Sequence, residues 1–284
     1  MKNRLNLTKT FLGICIFFLG SCWSLTTRDP LSKESERILR ICFWNVQNLT
    51  EAHLKKQGKG NYIFEFSKSC DMIVFSEIRF TNWDIVQAFQ NVLGKGEKQF
   101  ICEEGISKGL EEGTRTEKYL ACVNKEISEE IPKEEYVDED NDFARPPTLF
   151  FVNIAGKKIL LVPFQSTPGD KEELRNFQKV VDLAYRKYSD RRIFFGGVFH
   201  TGSNYQKGEF LASLPYFVYL KQLIREPTTF ANQSHDLVFT DKISVVDCKG
   251  KVWKLDTLIP SMGGRKELEK ISNHFPVSAE CKFK

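Results

Sequence analysis

The sequence contains no CxxC pair, no internal repeat and no apolar run long enough to read as a membrane span. Without CxxC, a zinc ribbon or a thioredoxin-type redox site has no support. Without a repeat, a solenoid or propeller has none. Charge of one sign is scarce as well: 41 Lys+Arg stand against 37 Asp+Glu in 284 residues, a formal net charge of +4. A nonspecific nucleic-acid binder relies on excess Lys and Arg to neutralise phosphates; net charge offers little of that here, although a local patch stays open. Histidine is sparse, with four in the chain. What is present is a globular composition, 41% hydrophobic and 27% charged, which excludes a collagen-like or wholly disordered chain. The length allows one large domain or two small ones.

Lys2, Arg4 and Lys9 precede the apolar run from Phe11 to Leu19, which continues into Gly20-Ser21-Cys22. The run is too short to span a bilayer comfortably. A positive start, a short apolar core and small residues before a cut describe a secretory signal peptide over residues 1–21. The tetrad Leu19-Gly20-Ser21-Cys22 resembles the bacterial lipobox, whose cysteine becomes the lipidated N-terminus. That resemblance makes Cys22 the expected lipidation site, residues 22–37 a polar tether, and the expected location the membrane of the cell envelope. Loss of the leader removes three basic groups and leaves 38 basic against 37 acidic side chains. Cys15 leaves with it. Cys42, Cys70, Cys102, Cys122, Cys248 and Cys281 remain. Exported proteins form disulfides, and an even count permits pairing without fixing it. Several of these cysteines lie in apolar strands and read equally as small buried hydrophobes.

Hydrophobic patterning predicts strands over 38–47, 72–75, 100–102, 119–123, 148–154, 158–164, 192–195, 236–240, 243–247 and 275–283. It predicts helices over 61–69, 82–93 and 171–188, the last with Leu174, Phe177, Val181, Ala184 and Tyr185 on one face. The acidic stretch 126–142 reads as a solvated loop. Many short strands with few helices suggest an α+β chain, two packed, mostly antiparallel sheets with helices outside: a four-layer α/β/β/α sandwich formed as one domain over residues 38–284.

The order of short motifs then becomes recognisable: FWNVQN (43–48), DMIVFSEIR (71–79), RTEKYLACV (115–123), ARPP (144–147), LVPFQSTPGDKEEL (161–174), FFGGVFHTGSNY (194–205), SHDLVF (234–239) and ISNHFPVSAE (271–280). In this order, over the whole domain, they resemble the endonuclease/exonuclease/phosphatase superfamily, most closely its deoxyribonuclease I-like branch. The resemblance implies phosphodiester hydrolysis by water with a divalent cation such as magnesium. It makes Asn45 and Glu77 the metal-side amide and carboxylate, and Arg79 and Arg145 phosphate contacts. It makes Glu117 the group that orients a catalytic histidine, Asp236 an aspartate near the leaving group, and His274 the histidine of the closing motif.

Four positions depart from the pattern. Gln165 stands for the catalytic histidine, Val198 and His200 for the aspartate and asparagine of the GDFN loop, and Asn273 for the closing aspartate. Glutamine is no acid or base near neutral pH, valine holds no metal, and Asn273 brings no charge to polarise His274. Members of such a unit act non-additively, so their joint loss argues against the ancestral mechanism. Asn45, Glu77 and Asp236 then read equally as buried groups that hold loops. His200 and His274 with Glu77 form a candidate transition-metal set. His235 precedes Asp236 and is expected on the opposite face. Three functions follow as expectations. The first is a membrane-anchored, catalytically impaired domain retained for binding. The second is a divalent-metal-dependent phosphodiesterase on DNA or nucleotides with a rearranged site. The third, ranked last for want of an exposed aromatic hairpin, is a phospholipid phosphodiesterase.

Overall fold

The apolar run that opens the domain is buried on both faces. It forms strand β1 (Arg37–Leu49), on which Cys42, Trp44 and Val46 enter one hydrophobic cluster and Leu39, Ile41 and Phe43 another. Alternate residues of a strand share a face, so a strand lying between two layers reads as a continuous apolar run. In β7 (Lys157–Gln165), likewise, Ile159 and Leu161 face one way and Leu160, Val162 and Phe164 the other. The computed structural model describes residues 37–55, 58–79, 84–106, 117–154, 156–200, 220–241, 248–258 and 265–283. The leader, Cys22 and the tether to residue 36 lie outside the described residues, as do 107–116 and the strand expected at 243–247.

The remaining strands are β2 (Met72–Ile78), β3 (Phe100–Ile106), β4 (Lys118–Asn124), β5 (Lys133–Glu135), β6 (Thr148–Ile154), β8 (Arg192–Val198), β9 (Leu220–Gln222), β10 (Asp236–Asp241), β11 (Cys248–Val252) and β12 (Val277–Phe283). They make two six-stranded sheets, ordered β11-β12-β1-β2-β4-β3 and β5-β6-β7-β8-β10-β9. The pairs β1–β2 and β7–β8 are parallel; the other pairs are antiparallel.

Helices α1 (Glu51–Lys55), α2 (Lys59–Ser67), α3 (Ile85–Leu93), α5 (Leu255–Leu258) and α6 (Arg265–Glu269) cover the outer face of the first sheet, and α4 (Lys171–Lys187) covers that of the second. Phe66, Phe89, Leu255 and Leu268 pack with Trp44 and Phe75 on one side; Phe177 and Val181 pack with Phe164 and Phe195 on the other. Between the sheets lie Phe43, Val74, Phe150, Phe194 and Val238. This is the four-layer α/β/β/α sandwich. The sheets close on each other where side chains are absent. A methyl group at Gly196 would stand 2.4 Å from the Phe43 ring, and one at Gly105 would stand 2.2 Å from the Thr148 hydroxyl oxygen.

The six cysteines do not sit as free small hydrophobes. They pair as Cys42–Cys70, Cys102–Cys122 and Cys248–Cys281. Cys102 and Cys122 face each other across β3 and β4, and Cys248 and Cys281 across β11 and β12. All three bridges staple the first sheet and its flank. The acidic stretch 126–142 contains a strand that patterning missed, β5, whose Glu134 and Glu135 are half-buried. Asp170 caps α4 by accepting from the Glu173 amide at 3.0 Å, and Glu172, Glu173, Arg186 and Lys187 place charge to suit the helix dipole.

Candidate functional site

The site begins at a double irregularity. Asn45 pairs with Ser76 and Leu49 with Ile78, so β1 carries surplus residues against β2. Gln47, Asn48 and Glu77 accommodate them with positive φ values of 45°, 49° and 59°. Non-glycine residues in this region cost of order 1–3 kcal/mol each and gather at functional sites; bulges re-aim side chains. Here the bulge brings Glu77 under three donors. Its Oε1 accepts from Asn45 Nδ2 at 2.7 Å and from Gln165 Nε2 at 2.7 Å. Its Oε2 accepts from the Asn48 amide at 3.1 Å. The Asn45 oxygen is taken by the Gln47 amide at 2.8 Å, which turns the Asn45 nitrogen toward Glu77.

Across the second sheet, Gln165, Val198 and Asp236 lie in register at the ends of β7, β8 and β10. Asp236 accepts from His274 Nδ1 at 2.8 Å, and both are buried. Burial alone would lower the His274 pKa, but the Asp236 carboxylate raises it more, with help from Glu77, so the imidazole is held above its ordinary value. Two hydroxyls position the pair: Ser272 Oγ accepts from the His274 amide at 2.9 Å and donates to the Asn45 carbonyl at 2.8 Å, while Thr228 Oγ1 accepts from the Asp236 amide at 2.9 Å. Asn273 is exposed, and its amide donates to Gln47 Oε1 at 2.9 Å. The carboxylate that His274 meets is that of Asp236, from strand β10 and not from its own motif.

Glu117 also has a different partner from the one expected. It binds both Arg79 and Arg145, the latter through Nε at 2.5 Å. Arg145 is 5% exposed, and its Nη1 is buried with no hydrogen-bond partner among the described residues. With glutamine at 165 there is no imidazole for Glu117 to orient, and Gln165 turns to Glu77 instead. Glu173, buried at the start of α4, accepts from the Thr167 amide and from the Ala144 amide at 3.0 Å, fixing the segment that carries Arg145.

His235 is not turned away from the site. Its ring lies 5.4 Å from that of His200 and 6.0 Å from that of His274. It precedes β10, so strand alternation does not govern it. Burial first, then His235 and His274, push the His200 pKa down to about 4; burial also lowers His235. Among the described residues, no group of three or more His, Cys, Asp or Glu side chains is arranged to hold a metal ion. Glu77, His200 and His274 are not gathered as such a set: Glu77 is engaged by amides, His274 by Asp236, and His200 Nδ1 lies 3.2 Å from Ser166 Oγ. Glu77 is a single carboxylate met by N–H donors, and Val198 occupies the position next to Gln165 and Asp236, so a magnesium ion here would find one charged protein ligand and would complete its shell with water.

Sequence reasoning missed Lys59, Gln47, Ser272, Thr228 and Glu173. The Asp170–Glu173 spacing is that of a capping pair and was available as a signal. Lys59 is buried, and burial brings its pKa down to about 8 against the pull of Glu77; only its place between two glycines sets it apart in the sequence.

No protein-family model matches the chain. Curated relatives do. Deoxyribonuclease gamma of Rattus norvegicus is 26% identical over 176 residues, 59% of this chain and 57% of the relative, so the chain spans little more than half of that protein's length. Deoxyribonuclease gamma of Mus musculus is 24% identical over 267 residues, 84% of this chain and 83% of the relative. Among solved structures, an endonuclease/exonuclease/phosphatase family protein from Leptotrichia buccalis superposes with a TM-score of 0.60 at 12% identity, covering 86% of this chain and 100% of that one. In fold and in sequence likeness, the chain is similar to the deoxyribonuclease I-like branch of the endonuclease/exonuclease/phosphatase superfamily.

Proposed function

We propose that the chain is an exported, lipid-anchored member of this superfamily that binds an anionic, phosphate-bearing ligand and does not hydrolyse it by the metal-dependent route. The observation that carries this reading is the state of Glu77, both of whose oxygens are occupied by N–H donors from Asn45, Gln165 and Asn48. Binding is supported by Arg145, whose buried Nη1 has no partner among the described residues and suits a ligand oxygen. Export is supported by the three disulfides, which persist in oxidising compartments. Cys22 is the anchor in this reading, and the membrane is the one partner it names.

The test is hydrolysis of plasmid DNA and a model phosphodiester by the purified chain in magnesium, calcium, manganese and zinc, beside a Glu77→Ala control. The expected result is no turnover above the control. The intact Asp236–His274 pair favours a second reading, a phosphodiesterase with a rearranged site. Turnover that disappears in Glu77→Ala would establish that reading in place of the first.

A further inference from the structure

Strands β1, β7 and β8 all run toward the site. Phe43 of β1 packs over Gly196 of β8, and two residues further along come Asn45 and Val198. Gln165, the last residue of β7, is in register with Val198 and reaches Glu77 at 2.7 Å. The three strands therefore begin away from the site, β1 at Arg37, β7 at Lys157 and β8 at Arg192.

The starts of β7 and β8 lie side by side, since Ile159 is in register with Arg192. Ile154 pairs with Lys157 across a tight turn in which Gly156 has a φ of 80°, a conformation that glycine enters without strain. Gly156, Lys157, Lys158, Asp190 and Arg192 line an open recess of about 300 Å³. Three of these side chains are basic and one is acidic. The acid is already met, by Lys158 Nζ at 2.6 Å. The neighbouring Arg191 lays its guanidinium over the Phe151 ring, 4.8 Å from its centre, with Nη1 buried and without a hydrogen-bond partner among the described residues. In a chain whose charges nearly cancel, this is a local excess of cations. The small size and charged walls suit one phosphate group, which lysine and arginine bind by charge-assisted hydrogen bonds, and not an apolar tail.

We propose that this recess seats the phosphate of an anionic phospholipid headgroup and is the domain's contact with the bilayer. Basic side chains near a membrane surface are drawn to anionic lipids. A lipid is favoured over a free anion because the recess lies at the strand starts, as does Arg37, through which the residues that follow Cys22 join the domain. The inference rests on the lipid-anchored reading above, which brings a bilayer within reach, and adds the surface that meets it.

Vesicle titrations of the purified full chain test it, with the apparent Kd read on phosphatidylcholine alone and on phosphatidylcholine mixed with phosphatidylglycerol. The proteins are the wild type, Lys157→Gln/Lys158→Gln/Arg192→Gln, Lys157→Glu alone, and Lys254→Gln/Lys266→Gln/Lys270→Gln. The last removes as much positive charge from exposed lysines of other segments. Residues 1–36 are common to all four proteins, so differences among them belong to the domain. The wild type should prefer the mixed vesicles, and added salt should weaken that preference. The recess variant should lose about tenfold of it and keep the wild-type affinity for phosphatidylcholine alone. The variant at 254, 266 and 270 should keep the preference. If the recess variant does not fold, Lys157→Glu, which leaves the Lys158–Asp190 pair in place, should lower the preference by itself.

Equal losses in the two triple variants, a preference that neither recess variant lowers, or no wild-type preference overturns the headgroup site. Inorganic phosphate bound by the wild type and not by the recess variant, without any vesicle preference, makes the recess a seat for soluble anions and overturns it as well. Lipid labelling at Cys22 is a separate readout. A labelled chain without the preference loses the headgroup site and keeps the anchor, and an unlabelled chain with it loses the anchor and keeps the site.

Discussion

His200 and His274 lie in one cluster yet respond to acid in opposite senses. His200 titrates near 6.5 when unfolded and near about 4 when folded. Between those values the unfolded state holds the extra proton, so stability falls as pH falls, by at most about 1.4 kcal/mol per unit for one group. His274 is raised, so its contribution is full below 6.5 and fades as pH rises through its folded pKa. Replacing His200 with glutamine should therefore flatten the decline in melting midpoint between pH 6.5 and 4 relative to the wild type. Parallel curves for the two proteins would show that His200 is not held neutral by burial. The identities of the site residues were legible in the sequence, since Asn45, Glu77, Arg79, Glu117, Arg145, Gln165, Asp236 and His274 all lie in the motifs. Their partners were not. Whether Gln165 reaches Glu77, or Glu117 reaches two arginines, depends on strands far apart in the chain meeting at one edge. A buried lysine gives no periodic signal at all.

Among the elements, the bridges are unevenly distributed. Among the described residues, strand β11 hangs on the edge of the first sheet and pairs only with β12, to which Cys248–Cys281 ties it. With a sequence separation of 33 between the cysteines, the chain-entropy model puts its contribution at about 3 to 4 kcal/mol. In a Cys248→Ser/Cys281→Ser protein, hydrogen exchange should quicken first at the β11 amides while those of β7 and β8 keep their protection. A uniform loss across both sheets would mean that the bridge acts on global stability and not on its own edge. Patterning located most strands because those buried on both faces are apolar throughout. It missed β5, β9 and β11 for the converse reason. β5 and β9 have three residues each, and β11 is polar, with Lys249 and Lys251 exposed. Such edge strands are recruited by their neighbours' hydrogen bonds and not by their own composition.

For the molecule as a whole, the lipid anchor is the claim most open to direct trial. Full-length chain expressed in a bacterial host supplied with labelled palmitate should take up the label, and Cys22→Ser should not. Equal labelling of both would place the lipid elsewhere or nowhere. The fold has something to say about such an anchor. Strand β1 starts at Arg37, beside Phe283 of the last strand, and reaches the site at Asn45 eight residues later. At about 3.3 Å per residue this is roughly 26 Å. The segment that would carry an anchor thus joins the domain about one strand's length from the bulge that holds Glu77, so the site residues do not lie at the point of attachment.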